Sequence, residues 1–317
     1  MAKAKFTSVE VCAGAGGQAV GLETAGFDHL ACVEIDAHAC STLRANRPEW
    51  NVIEADLRDW KPAADLYGVD LLAGGVPCPP FSLAGKQLGK DDERDLFPEM
   101  IRLAKQLNPN AIMIENVRGI LGRKFDDYRE EIVVKFTALG YEFCGWELLN
   151  SADFGVPQSR KRSILVIMKP EVAKNFNFPK SDASMRTIGD VLEPFMAEGG
   201  WTGASAWAQY AQGLAPALVG GSKKHGGADL GPTRAKQSWR ELGVDGLGVA
   251  DSPPSPDFVG FPRLTVKMAA AVQGFPAEWD FQGRKTAAYR QIGNAFPPPV
   301  AQAVGQAIQA ALAADRR

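Results

Sequence analysis

The sequence predicts an α/β protein built on a parallel sheet, and three observations predict it. Residues 6–12 alternate and stop at Ala13-Gly14-Ala15-Gly16-Gly17, after which a helical pattern runs from Gln18 to Ala25. Apolar runs of strand length, Leu30 to Ile35, Val69 to Ala73 and Ala111 to Ile114, each end in an acid or a glycine pair. Helical stretches, Phe97 to Leu107 and Tyr128 to Leu139, alternate with these runs, as in strand–helix–strand units.

The bulk numbers narrow the class. With 317 residues there is room for one large domain, or a large and a small one. Composition is that of a soluble globular chain, 45% hydrophobic and 23% charged, with a mean hydropathy of −0.15. A net charge of −2 carries no global basic signature, so any nucleic-acid contact has to come from local patches. Five cysteines (12, 32, 40, 78 and 144), an odd number without a CxxC pair, argue against a disulfide framework or a structural zinc. The Met-Ala-Lys-Ala-Lys start lacks an apolar signal core, and no run approaches the ~20 apolar residues of a membrane helix. The expectation is a soluble, cytoplasmic, metal-free protein.

Each element then has its own signal. The first strand, glycine turn and helix bring backbone N–H groups and a helix N-terminus against a ligand. The second strand ends in Glu34-Ile35-Asp36, about 20 residues past the first glycine, where an acid can accept both hydroxyls of a ribose. A third strand, Asn51 to Glu54, leads to Ala55-Asp56-Leu57, a further acid at a strand end. Two acids and a glycine turn imply a bound nucleoside, although the glycines alone could simply make a tight turn. Gly14-x-Gly16-x-x-Ala19 also satisfies the dinucleotide fingerprint, which keeps a nicotinamide oxidoreductase in play.

The fourth strand, Val69 to Ala73, is stopped by Gly74-Gly75-Val76-Pro77-Cys78-Pro79-Pro80-Phe81-Ser82. A cysteine at the carboxyl end of such a strand sits where α/β folds place their chemistry. Prolines 77, 79 and 80 stiffen its backbone, which suits an aimed nucleophile; a buried cysteine beside a proline turn is the plain alternative. The polar segment from Ser82 to Asp95, carrying Lys86, Lys90 and Arg94, reads as a closing lid or as a solvated insertion.

The next strand finishes in Glu115-Asn116-Val117, placing a carboxyl on the same crevice as Cys78: a candidate general acid, or a cap on the turn. Strands follow at Tyr141 to Leu149 and Ser163 to Met168. The latter is preceded by Gln158-Ser159-Arg160-Lys161-Arg162, whose alternation predicts Arg160 and Arg162 on one face and Lys161 on the other.

From Glu171 the character changes. Residues 197–257 are rich in Gly, Ala, Ser and Pro with weak periodicity. Between 201 and 240 Lys223, Lys224, Arg234, Lys236 and Arg240 face a lone Asp229, interleaved with Trp201, Trp207 and Trp239. This reads as a separate, loop-rich recognition module, or as ordinary solvated basic loops. Helical patterning returns at Leu264 to Gln273, and the chain ends with Gln291-Ile292-Gly293-Asn294 and an Ala-rich helix to about Ala313.

Taken in order, these blocks resemble the DNA cytosine-5 methyltransferases over nearly the whole chain. The carriers are the glycine turn at 13–17, Glu34-Ile35-Asp36, Asp56-Leu57, the Pro77-Cys78 loop, Glu115-Asn116-Val117 and Gln158-x-Arg160-x-Arg162. Arg263-Leu264-Thr265 through Gln273-Gly274-Phe275-Pro276 and Gln291-Ile292-Gly293-Asn294 follow after a variable region. Each block is common alone, and eight in order are highly specific.

The resemblance implies a doubly wound, mostly parallel sheet binding S-adenosylmethionine, with a catalytic domain of residues 1–180 plus 275–317. A target-recognition domain would span 181–274. It implies Cys78 as nucleophile, Glu115 as the acid at cytosine N3, and Arg160 and Arg162 around the base. Cys12, Gly14, Gly17, Glu34, Ile35, Asp56, Leu57, Pro77, Leu96 and Asn294 are then expected at the cofactor, with Glu34 on the ribose and Asp56 near the adenine amine. Ser82, Lys86, Lys90, Arg94, Lys223, Lys224, Arg234, Lys236 and Arg240 are the expected DNA contacts. The implied protein is a monomer acting on a flipped cytosine of double-stranded DNA, the modification enzyme of a restriction–modification pair. A transfer-RNA methyltransferase of the same fold is the runner-up. Two departures stand out: Glu10 and Cys12 replace an acid–aromatic pair, so stacking on adenine at position 12 is in doubt, and Ala295 replaces a frequent serine.

Overall fold

A computed structural model describes residues 6–77, 95–180, 183–220 and 228–316. The chain runs β1 (Phe6–Val11), α1 (Gly17–Thr24), β2 (Phe27–Glu34), α2 (Ala37–Asn46), β3 (Val52–Glu54), β4 (Leu71–Gly74), α3 (Phe97–Leu107) and β5 (Ala111–Val117). It continues through α4 (Asp126–Ala138), β6 (Glu142–Asn150), β7 (Gln158–Ser159), β8 (Lys161–Met168) and α5 (Pro170–Ala173). Then come α6 (Ile188–Ala197), α7 (Ala204–Tyr210), β9 (Ala215–Pro216), α8 (Thr233–Glu241), α9 (Val266–Gln273), α10 (Lys285–Asn294) and α11 (Pro298–Asp315).

The predicted α/β class and doubly wound sheet are what the molecule has. Seven strands form one sheet in the order β3-β2-β1-β4-β5-β8-β6. β1, β2, β3, β4 and β5 pair parallel, and β8 joins antiparallel to both β5 and β6. The chain steps from β1 outward to β3 on one side and resumes with β4 on the other. The crevice between the carboxyl ends of β1 and β4 is therefore the topological switch point where such sheets take ligands. The glycine turn leaves β1 there, and Pro77 follows β4 there.

Both faces are covered, and the central strands β4, β5 and β8 are accordingly rich in apolar residues. Val9, Val11, Leu72, Ile112 and Ile114 meet Met100, Leu103, Ile132 and Phe136 of α3 and α4. On the other face Leu71, Ala73, Met113, Ile164 and Val166 meet α11 residues such as Val304 and Ile308, with Leu22 of α1 beside them. Contact between α1 and α11 is close because Gly21 lies in it: a Cβ there would stand 2.4 Å from Pro298 O.

Local signals explain several ends. Asp36 caps α2 by accepting from His38 N and Ala39 N, a helix the periodicity did not reveal. Thr265 caps α9 through Met268 N, and Gly274 closes it in the left-handed region.

The region from 197 to 257 is less loop-rich than its composition suggested, since α7 and α8 lie within it. Its tryptophans are core rather than surface: Trp201, Trp207 and Trp239 are 8%, 6% and 0% exposed. They share one cluster with Ile188, Leu192, Met268 and Ile292, so large rings scattered at irregular spacing fill a core that short helices could not fill with aliphatics.

Candidate active site

Two adjoining cavities occupy the switch-point crevice. The larger, about 320 Å³, is lined by the glycine turn, Glu34, Asp36, Gly75, Pro77, Glu115 and the end of α10. The smaller, about 180 Å³, is lined by Ala55, Asp56, Leu57 and Arg58. Cys12, Glu34, Ile35, Pro77 and Leu96 border both, so the two form one elongated cleft. Its size is in the range of small-molecule sites. All the expected cofactor residues, Cys12, Gly14, Gly17, Glu34, Ile35, Asp56, Leu57, Pro77, Leu96 and Asn294, lie on this cleft.

The acids there are held by backbone. Glu34 Oε2 accepts from Gly14 N at 2.7 Å, and Oε1 accepts from Ile35 N and Asp36 N, each at 2.8 Å. That fixes the carboxylate at the rim of the glycine turn with one lone-pair site on Oε2 left for a hydroxyl donor. Asp56 pairs with Arg58, Oδ2 to Nη2 at 2.5 Å, and this partner holds its pKa below the ordinary carboxylate value against the opposing effect of burial. The turn itself requires left-handed backbone at Cys12, Gly14 and Gly16, with φ of 51°, 55° and 91°. Gly14 has no heavy atom within 4 Å of where a Cβ would stand, which leaves its backbone open to the cavity. Ile35, 63% exposed, presents a bare apolar surface to both cavities. An open glycine cradle, a fixed carboxylate and an uncovered apolar side chain suit a nucleoside with a polar tail, as S-adenosylmethionine has.

Glu115 closes the far side of the larger cavity. On the antiparallel β5–β8 pair Val117 stands opposite Arg162, so Glu115 and Arg162 are diagonal neighbours on one face. Arg162 Nε donates to Glu115 Oε1 at 2.8 Å, and both side chains are less than a fifth exposed. Burial raises the Glu115 pKa, and Arg162 and then Arg160 only partly oppose that rise.

Arg160 lies in the one-residue gap between β7 and β8 and is 2% exposed. Its Nη1 donates to Leu218 O at 2.7 Å and its Nη2 to Gly293 O at 2.8 Å. Burial, followed by the nearby Arg162, draws its pKa down to about 9, so it remains a cation at neutral pH. Gln158 completes the grip: its Oε1 accepts from Leu218 N at 2.9 Å and its Nε2 donates to Gln273 Oε1 at 2.6 Å. Gln273 in turn donates to Ala295 O at 2.5 Å. The carbonyls on both sides of Asn294 are thereby held from one short strand. Gln158 and Gln273 were visible in the sequence as motif residues, yet only their distant partners reveal what they hold.

Cys78 and four expected DNA contacts beside it, Ser82, Lys86, Lys90 and Arg94, lie outside the described residues, as do Lys223 and Lys224. Of the remaining expected DNA contacts, Lys236 Nζ pairs with Asp229 Oδ2 at 2.9 Å and Arg240 lies 6.0 Å over the Phe261 ring. Arg234 is exposed near the start of α8.

The comparisons agree with this geometry. The family model for C-5 cytosine-specific DNA methylases matches residues 6–310. The Type II methyltransferase M.NgoMIV of Neisseria gonorrhoeae is 53% identical over 312 residues, covering 97% of this chain and 98% of that protein. M.NaeI of Lentzea aerocolonigenes, also a Type II methyltransferase, is 54% identical over 310 residues, covering 96% of this chain and 75% of the relative. Among solved structures, a mutant of Spodoptera frugiperda DNMT2 superposes with a TM-score of 0.68 at 19% identity, covering 96% and 99% of the two chains. S. pombe Dnmt2 gives 0.61 at 17% identity, covering 94% and 97%; at these identities the likeness concerns the fold. The nicotinamide reading, which rested on the first glycine pattern alone, is overturned: the chain belongs to the C-5 cytosine-specific DNA methylases and is a DNA cytosine-5 methyltransferase.

Proposed function

We propose that this chain methylates C5 of a flipped cytosine in a specific duplex sequence through a covalent Cys78–C6 adduct, using S-adenosylmethionine. The carrying observation is that Glu115, Glu34 and the glycine turn converge on the cleft to which Pro77, the residue before Cys78, contributes. When bound, the cofactor supplies an electrophilic methyl group.

The protein's own groups supply the rest. Cytosine C5 is a poor nucleophile, so the Cys78 thiolate adds to C6 and the ring becomes an enamine. Charge that builds on the ring is met at N3 by a proton from Glu115, which burial favours in its protonated form. Arg162 orients Glu115 and reaches the base O2, and Arg160 acts through the backbone it holds. C5 takes the methyl, a base removes the C5 proton, N3 returns its proton, and Cys78 is expelled. A base inside a stacked duplex cannot reach these groups, so it has to be extruded, at a few kcal/mol.

Glu34 is assigned to the ribose hydroxyls and Asp56 to the adenine amine, with Cys12, Gly14, Gly17, Ile35, Leu57, Pro77, Leu96 and Asn294 around them. Residues 1–180 plus 275–317 form the catalytic unit in this reading, and 181–274 the target-recognition unit. Relatives named Type II methyltransferases support a role as the modification partner of a restriction endonuclease that acts independently.

The test is to incubate the protein with unmethylated plasmid or transfer RNA and labelled S-adenosylmethionine, then identify the modified nucleoside, with Cys78→Ser alongside. 5-Methyldeoxycytidine that vanishes in the variant is the expected result. Label in RNA alone would move the function to the runner-up.

A further inference from the structure

We infer that the connection leaving β5, together with the first residue of β8, forms a phosphate-binding rim beside the catalytic acid, built from Arg118, Arg123, Lys124 and Lys161. The inference rests on duplex DNA being the substrate and adds a contact surface to that reading.

Position comes first. β5 is parallel to the strands that open on the crevice and β8 is antiparallel to it, so the end of β5 and the start of β8 share the crevice edge of the sheet. The Val117–Arg162 register puts Arg118 and Lys161 next beyond it, just past the pair that holds Glu115. The chain then makes two short 3-10 turns, Arg118–Leu121 and Arg123–Phe125, before α4 begins. All four cations are therefore carried from the Glu115 end of the sheet.

Their charge meets no carboxylate within the described structure, although Lys124 Nζ lies 4.7 Å over the Phe125 ring. Arg118, Arg123, Lys124 and Lys161 are all exposed, and none forms an ion pair among the described residues. The nearby carboxylates are mostly taken: Asp126 pairs with Arg129 at 2.6 Å, and Glu115 with Arg162. Four cations thus remain without a carboxylate partner among the described residues, in a chain whose net charge is −2. By contrast, Lys236 in the basic stretch beyond residue 200 already has a carboxylate partner.

The segment is also fixed in shape. Ile120 is fully buried as its anchor. Arg129 Nη1 donates to Ile120 O at 2.6 Å and to Gly122 O at 3.3 Å, which staples the two turns to α4. Gly122 N and Phe125 N close the turns on Gly119 O and Gly122 O. Charges on a rigid, unpaired edge lose little entropy when they meet a partner. Guanidinium and ammonium groups in such an array suit successive phosphates of a nucleic-acid strand. An extruded base next to Glu115 brings its own flanking phosphates to this rim.

The experiment measures binding of a labelled mixed-sequence duplex as a function of salt, for the wild type, Arg118→Ala, Arg123→Ala, Lys124→Ala and Lys161→Ala. A Lys174→Ala control lies at the opposite end of β8, beyond Met168. Each lost phosphate contact is expected to flatten the slope of log K against log salt by about 0.9. Affinity should fall at low salt and the apparent KM for DNA should rise, while calorimetric binding of S-adenosylhomocysteine is kept. Slopes equal to the wild type in all four variants, or losses matched by Lys174→Ala, would overturn the rim. A flattened slope with an RNA duplex but not with DNA would also overturn it. Failure of the wild type to modify DNA would instead count against the underlying function, so the two failures are distinguishable.

Discussion

Arg162 Nε lies 2.8 Å from Glu115 Oε1, and yet burial leaves the carboxyl with a pKa above its ordinary value. Desolvation outweighs the ion pair, and the pair restrains the rise without reversing it. Glu115 is thus an acid that keeps its proton at higher pH than a solvated glutamate.

The first prediction concerns that proton. Glu115→Gln should slow single-turnover methylation by about 10²–10⁴, the usual worth of a positioned general acid. The alkaline limb of the wild-type pH–rate profile should fall above the ordinary carboxylate range. Arg162→Ala removes the group that lowers the Glu115 pKa, so that limb should move upward even as the rate drops. A limb that moves downward would contradict the assignment.

The cofactor cleft gives a second prediction. Ile35 is 63% exposed and borders both cavities, so a ligand filling them covers it. Ile35→Ala should weaken binding of S-adenosylhomocysteine by about 1–2 kcal/mol, roughly five- to thirtyfold, because part of a buried apolar side chain is lost. Titration calorimetry reads this directly, and an unchanged affinity would place the adenosine elsewhere.

A third prediction tests how tightly Gly220 lies on the end of α10. A Cβ on Gly220 would stand 2.3 Å from Arg290 O and 2.6 Å from Asn294 Oδ1, and a Cβ on Gly293 would stand 2.3 Å from Gly220 N. Gly293→Ala should therefore destabilise the fold by about 1–3 kcal/mol in urea unfolding and weaken cofactor binding together. Loss of stability with cofactor affinity intact would separate this contact from the cleft.

The Arg160 grip supplies a fourth. Arg160→Met leaves Leu218 O and Gly293 O without their buried donor, at a cost of about 2–6 kcal/mol if water does not replace it. Arg160→Lys, which can serve one carbonyl, should fall between the variant and the wild type.

Two further buried groups contribute to the pH dependence of stability. Glu10, near the carboxyl end of β1, is 1% exposed, and burial lifts its pKa well above 4.5. Stability is then complete below the unfolded value and declines as pH rises through the folded one; Glu10→Gln should abolish that alkaline decline. His29 Nε2 donates to Ala19 O at 2.9 Å, so Nδ1, 2.8 Å from Ser8 Oγ, is its acceptor, and burial lowers the pKa from 6.5. Stability should fall as pH drops below about 6.5, where only the unfolded histidine takes a proton. Urea midpoints of the wild type and His29→Gln across that window check the sign.

The sequence by itself determined the parallel strands, because each is a short alternating or apolar run closed by glycine, proline or an acid, signals that act within a few residues. For the same reason Glu34, Asp56 and Glu115 were legible: an acid at the carboxyl end of a buried strand has few other uses. The order of motifs determined the family. Only the tertiary structure decided what Arg160 holds, since its two carbonyl partners, Leu218 O and Gly293 O, are far along the chain. Tertiary packing also decided that Trp201, Trp207 and Trp239 are core, because burial depends on residues far along the chain. The cations of the β5 exit, which have no carboxylate partner among the described residues, are distinguished from the paired Lys236 by the same kind of information. Charge is written in the sequence, but whether a charge is already spent is settled by which carboxylate the fold brings beside it.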